Sequence, residues 1–132
     1  MKETVLLIPS YQPDEQTLAF LRVLTEASTD PIVVVDDGSG EKYQFLFEEM
    51  QTLGITVLSY SENHGKGYAL KHGMTYIVDN YPTARWLVTA DSDGQHTLAD
   101  IQQMVGHYLP ISGKILLGVR QFYLKQTPLR SW

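Results

Sequence analysis

Short apolar runs alternate along the chain with stretches in which apolar residues recur every three or four positions. The runs Val5–Ile8, Ile32–Val35, Ile55–Leu58 and Trp86–Val88 are rich in branched side chains, and a weaker fifth covers Ile115–Leu117. Consecutive apolar residues over so short a span predict strands buried on both faces. Thr17, Phe20, Leu21 and Leu24 follow the i, i+3, i+4, i+7 spacing of a helix, which Pro13 can open, with Asp14 and Glu15 in its first turn. Glu41–Leu53 predicts a second helix stopped by Gly54. A third spans about 67–80 with Ala69, Gly73, Tyr76 and Ile77 inward, Gly73 pointing to close packing. A fourth runs from Leu98 to about Leu109, opened by the capping-box-like pair Thr97 and Asp100 and closed by Pro110 and Gly113.

Strands and helices thus alternate from end to end. That order predicts a three-layer α/β/α domain over residues 1–132, with a mostly parallel sheet and right-handed crossovers. In such sheets ligands bind beyond the carboxyl ends of the strands. The polar segments that follow each strand are therefore where chemistry is expected.

Composition narrows the class. The length of 132 residues and a 43% hydrophobic fraction suit one soluble domain able to bury about two thirds of its unfolded surface. There is no cysteine, which excludes disulfides and thiolate metal sites and fits the cytoplasm. The net charge of -5, with no basic run, argues against nucleic acid as a partner. An acidic protein that handles phosphate needs local positive charge, and a bound cation supplies it.

Four polar segments follow the first four strands: Pro9-Ser10-Tyr11, Asp36-Asp37-Gly38-Ser39-Gly40, Asn63-His64-Gly65-Lys66-Gly67 and Asp91-Ser92-Asp93-Gly94-Gln95-His96. Each alone is compatible with a plain turn. The topology brings all four to one sheet edge. Asp91 and Asp93, with the neutral oxygen of Gln95, form an oxygen-only set suited to Mg²⁺ or Mn²⁺. An aspartate at 36 or 37 can accept from a base imide or a ribose hydroxyl, or instead cap the next helix. The glycine-rich segment with Lys66 opens a helix and can meet a phosphate, although it has neither the Walker nor the dinucleotide spacing. Tyr11 can stack on a base or pack at the rim. The histidines at 64, 72, 96 and 107 share no metal spacing.

Ile8-Pro9-Ser10-Tyr11, Val35-Asp36-Asp37-Gly38-Ser39, Asn63 to Leu70, Asp91 to His96, Gly118-Val119-Arg120 and Pro128 to Ser131 resemble, in order, the motifs of family 2 glycosyltransferases. The similarity is closest to the dolichyl/polyprenyl-phosphate mannosyltransferase-like branch. The resemblance implies the GT-A fold, a UDP- or GDP-sugar donor and a divalent cation. It implies that Pro9, Tyr11, Val35 and Asp37 hold the nucleoside, with Asp36 beside them. It further implies that Asp91, Ser92 and Asp93 form the DxD-type catalytic segment, and that Asp91, Asp93 and Gln95 ligate the metal. Arg120, and more loosely Lys66, would meet the donor phosphates.

Gln12-Pro13 stands where the family often has Asn-Glu, which leaves the nucleobase open. The family's acceptor-side segment would lie beyond Trp132, so the chain is expected to be the donor-binding part of a longer enzyme. That enzyme would act on a polyprenyl phosphate or a glycan, at the inner face of the membrane, in building cell-envelope polysaccharide. Alone, the part is expected to bind donor without completing transfer, and to expose apolar surface that favours self-association. Two other classes share some of this layout. A sugar nucleotidyltransferase would open with a glycine-rich basic loop, which Pro9-Ser10-Tyr11-Gln12-Pro13 is not. A non-catalytic nucleotide-binding module would bind donor and transfer nothing.

Overall fold

In a computed structural model the protein is an α/β sandwich. The structure describes residues 4–90 in full and the backbone alone of 109–112, 115–116, 120–122 and 130–131. The elements run β1 (Thr4–Ser10), α1 (Glu15–Ala27), β2 (Ile32–Asp37), α2 (Gln44–Thr52), β3 (Thr56–Tyr60), α3 (Lys66–Asn80) and β4 (Trp86–Ala90). Four short strands follow: β5 (Leu109–Ser112), β6 (Ile115–Leu116), β7 (Arg120–Phe122) and β8 (Arg130–Ser131).

The first four strands are parallel in the order β3-β2-β1-β4. β1 sits between β2 and β4, with Leu6 opposite both Ile32 and Val88. The free side of β4 is divided. Its first residues pair antiparallel with β5, and Thr89 and Ala90 pair parallel with Gln121 and Phe122 of β7. The expected mostly parallel sheet is therefore present, with antiparallel additions at its far side.

Strand alternation sends successive residues to opposite faces. Leu6, Ile8, Val34 and Val88 pack with Leu21, Leu24, Phe47 and Met50 of α1 and α2. Val5, Leu7, Val33 and Val35 pack with Ala69, Leu70 and Ile77 of α3 on the other face. The second face is built on proximity. A Cβ on Gly73 would strike Leu7 and crowd Val35, so α3 lies closer to the sheet than any larger residue there allows.

Several local expectations need correction. Pro13 does not open α1: Asp14 is the N-cap, its Oδ1 accepting from Thr17 N at 3.0 Å in a capping box. Tyr76 faces inward as expected but is only half-buried, packed at the margin of the core beside Tyr81, and Leu70, not anticipated, joins the buried core. β3 is half-buried rather than covered on both faces, because it is the edge strand of the described order. Leu109 and Pro110, expected to end a helix, belong to β5, and the rest of that helix lies outside the described residues.

Candidate functional site

A cleft of about 620 Å³ opens at the carboxyl ends of β1 and β2, beside the start of α3. Pro9, Ser10, Tyr11 and Gln12 form one wall; Asn63, Gly65 and Lys66 form the other; Asp37 lies between them. Three segments far apart in sequence meet here because parallel strands deliver their carboxyl ends to one edge.

The wall that follows β1 is tied to the turn after β2. Gln12 has φ +51°, a left-handed conformation that residues with a Cβ seldom adopt. Its amide donates to Ser39 Oγ at 2.8 Å, and Ser39 N in turn donates to Asp36 Oδ1 at 2.9 Å. Asp36, 6% exposed, thus fixes the turn after β2 and, through Ser39, reaches the bend after β1. Tyr11 projects at 51% exposure, its hydroxyl accepting from Gln12 Nε2 at 3.2 Å. Ser10 lines the cleft, and its buried Oγ has no hydrogen-bond partner among the described residues.

The opposite wall is tied to Asp37. Asp37, 4% exposed, accepts at Oδ1 from the Tyr60 hydroxyl (2.7 Å) and His64 N (2.9 Å). Its Oδ2 accepts from Asn63 Nδ2 and Gly65 N, both at 2.9 Å. Asn63 Nδ2 also reaches the Asp37 carbonyl at 3.0 Å. Gly38, at φ +66°, lies so near the Glu62–Asn63 backbone that a Cβ there would collide with it. Burial, and then the bond to Asp37, push the Tyr60 phenol well above its ordinary pKa. The Tyr60 ring is edge-on to Tyr68 and His72, at 5.2 and 5.1 Å between centroids.

Of the residues proposed from sequence, Pro9, Tyr11, Asp37 and Lys66 line this cleft together. Val35 and Asp36 do not. The Val35 side chain is fully buried under α3, and Asp36 is turned into its own bend. Asp36 does not cap the following helix: α2 is entered through a single 3-10 turn, Glu41–Tyr43. Arg120 is the first residue of β7, a strand whose Gln121 stands opposite Thr89. Asp91, Ser92, Asp93 and Gln95 follow β4 in sequence and lie outside the described residues. Among the described residues no group of three or more histidine or acidic side chains is placed to hold a metal. Tyr60 and Ser39 were not anticipated as part of the site's support. Their partners are 23 and 27 positions away, beyond what local pattern reveals.

Residues 6–132 match the family model described as glycosyl transferase family 2. The chain is similar to dolichyl-phosphate beta-glucosyltransferase of Saccharomyces cerevisiae, at 29% identity over 76% of this chain and 32% of that protein. It is also similar to UDP-N-acetylglucosamine--dolichyl-phosphate N-acetylglucosaminyltransferase of Methanococcus voltae, at 24% identity over 87% of this chain and 51% of that protein. The chain therefore spans about a third of one of these relatives and about half of the other. Among solved structures, glucosyl-3-phosphoglycerate synthase of Mycobacterium tuberculosis, determined with Mn²⁺, UDP and glucosyl-3-phosphoglycerate, superposes with a TM-score of 0.54. It shares 17% identity and aligns over 80% of this chain and 39% of that one, so the likeness is one of fold.

Proposed function

The chain belongs to glycosyl transferase family 2, and from that premise we propose that its cleft binds a nucleoside-diphospho-sugar whose sugar is transferred to a polyprenyl phosphate. One observation carries this reading: the segments after β1 and β2 and the start of α3 converge on a single cleft at the carboxyl edge of a parallel sheet. Tyr11 offers an exposed ring face for a base, with Pro9 beside it. Lys66, at the first turn of the 15-residue helix α3, supplies positive charge for the diphosphate.

Asp91, Asp93 and Gln95 fit a hard divalent cation by their donor chemistry, two carboxylates and an amide oxygen. Mg²⁺ or Mn²⁺ held there would offset charge on the departing diphosphate. Ser92 lies within the same segment, and Arg120 is assigned to the donor phosphates. The two dolichyl-phosphate relatives support a lipid-phosphate acceptor, and the Mn²⁺ and UDP of the fold neighbour support the donor and cation.

Calorimetric titration with UDP and GDP, in Mn²⁺ and in EDTA, tests this. Binding of at least one nucleotide is expected with metal, falling at least tenfold with EDTA. Equal affinity without metal would remove the cation from the reading, and no binding of either nucleotide would remove the nucleotide.

A further inference from the structure

We propose that a second copy of this chain docks on the groove between β3 and α3, its own α3 packing antiparallel to the first about a two-fold axis at Thr75. The groove has a volume of about 400 Å³ and shares no lining residue with the nucleotide cleft. Leu58 of β3 lines one side, and Tyr68, Lys71, Thr75 and Asp79 of α3 line the other. It exists because α3 covers only part of the sheet. The helix packs on Val5 and Leu7 of β1 and on Val33 and Val35 of β2. β3 stands one strand further out, at the end of the described order, and its Leu58, opposite Val35, is half-buried. The segment Thr56-Val57-Leu58-Ser59-Tyr60 carries no charge and no proline, two devices that keep an edge strand from a partner.

The helix side of the groove is complementary to itself. Residues four apart on a helix share a face, so Lys71, Thr75 and Asp79 form one row, and all three are exposed. A cation and an anion thus stand at equal distances on either side of a small residue. In an antiparallel pair crossing at Thr75, each copy's Lys71 comes opposite the partner's Asp79, which gives two ion pairs related by the two-fold. A parallel pair in register would set like charges together. No ion pair within the described residues engages Lys71 or Asp79. Thr75 lets the axes approach to about 8–10 Å, and its hydroxyl already donates to the Lys71 carbonyl at 3.0 Å, so covering it strands no donor. Tyr68, 47% exposed, and Leu58 supply the apolar surface that a partner would bury.

One helix face is smaller than the roughly 1,200–2,000 Å² of a standard interface, so the dimer is weak, with a Kd on the order of 100 μM. Exposed ion pairs add little affinity; here they select the antiparallel register. Lys66 precedes Thr75 by nine residues, so the two Lys66 ends lie roughly 27 Å apart along the helices and both clefts stay open.

Sedimentation of the 132-residue chain up to about 1 mM tests this. A monomer–dimer equilibrium is expected. Lys71→Asp and Asp79→Lys, each at an exposed position, should weaken association about tenfold or more by setting like charges opposite each other. The double variant reverses both pairs and should return to within about threefold of the parent. An equimolar mixture of the two single variants should associate as a heterodimer, because every facing pair is then of opposite sign. A parent chain that stays monomeric throughout would overturn the proposal. So would a dimer that the single variants leave unchanged, which would place the contact on another face. A double variant as weak as the single ones would also overturn it, because Lys71 and Asp79 would not then face each other.

Discussion

The two walls of the cleft are built by opposite means. The wall after β3 is bound by a buried carboxylate with four donors and by a glycine pressed against its backbone. The wall after β1 bends through a left-handed glutamine held to Ser39 by one backbone-to-side-chain bond, and leaves Tyr11 half in solvent. Both supports come from one turn. Asp36 and Ser39 serve the first wall, Asp37 and Gly38 the second. Adjacent residues of a strand point to opposite sides, so two consecutive aspartates can reach two different loops. The difference teaches that the Asp36-Asp37-Gly38-Ser39 segment is a brace between walls, holding one through a carboxylate and the other through a serine hydroxyl.

The largest test of that contrast is Gly38→Ala. A non-glycine residue in the left-handed region costs about 1–2 kcal/mol. The Cβ also meets the backbone of Glu62 and Asn63, which has no rotamer to give way. Overpacking adds about 1–3 kcal/mol, so a loss of about 3 kcal/mol or more is expected in urea unfolding. A loss under about 1 kcal/mol would mean that the wall after β3 can move aside, and the contrast with the wall after β1 would disappear.

Much of this frame was readable from the chain. Branched apolar runs at Val5–Ile8 and Ile32–Val35 gave strands because both sheet faces are covered, so burial left a continuous signal. The same logic failed at β3, whose edge position leaves it half-buried. Asp14 and Thr17, three apart, were a legible capping box overshadowed by Pro13. Pro9, Tyr11, Asp37 and Lys66 line the cleft because each ends or follows a strand or opens a helix at the ligand edge. Whether Asp37 faces a ligand or a loop was not readable. That depends on Tyr60, Asn63, His64 and Gly65, whose approach to it is set by the crossover through α2 and β3.

Tyr60→Phe gives a smaller effect that carries a pH signature. Removing a hydrogen bond to a carboxylate is expected to cost about 1.5 kcal/mol near neutrality, the low end for such bonds because the ring is half-exposed. The folded phenol titrates well above its unfolded value of about 10. The native state therefore holds this proton more tightly. Its stabilising contribution is complete below about pH 10 and is lost as the pH rises from there toward the folded pKa. Urea unfolding at pH 8 and pH 11 should show a steeper alkaline loss for the parent chain than for the variant. Parallel losses would mean that Tyr60 is not coupled to Asp37, and the wall after β3 would have one support fewer.

The smallest effect, and the one of opposite sign, is expected at Gln12→Gly. Gln12 sits at φ +51°, where a Cβ costs about 1–2 kcal/mol and glycine costs none. Glycine gives back about 0.5–1 kcal/mol of that through the freer unfolded chain. The bond to Ser39 Oγ comes from the backbone amide and survives the change. What is lost is an exposed side-chain contact from Gln12 Nε2 to the Tyr11 hydroxyl, at 3.2 Å. The net expectation is a gain of about 0–1 kcal/mol in urea unfolding, with Tyr11 more mobile by NMR relaxation. Glycine would then be tolerated in the wall after β1, while its removal at Gly38 damages the wall after β3. If Gln12→Gly instead destabilises the protein by more than about 1 kcal/mol, beyond the entropic cost of glycine itself, the Gln12 side chain must hold the bend. The wall after β1 would then be as closely specified as its neighbour.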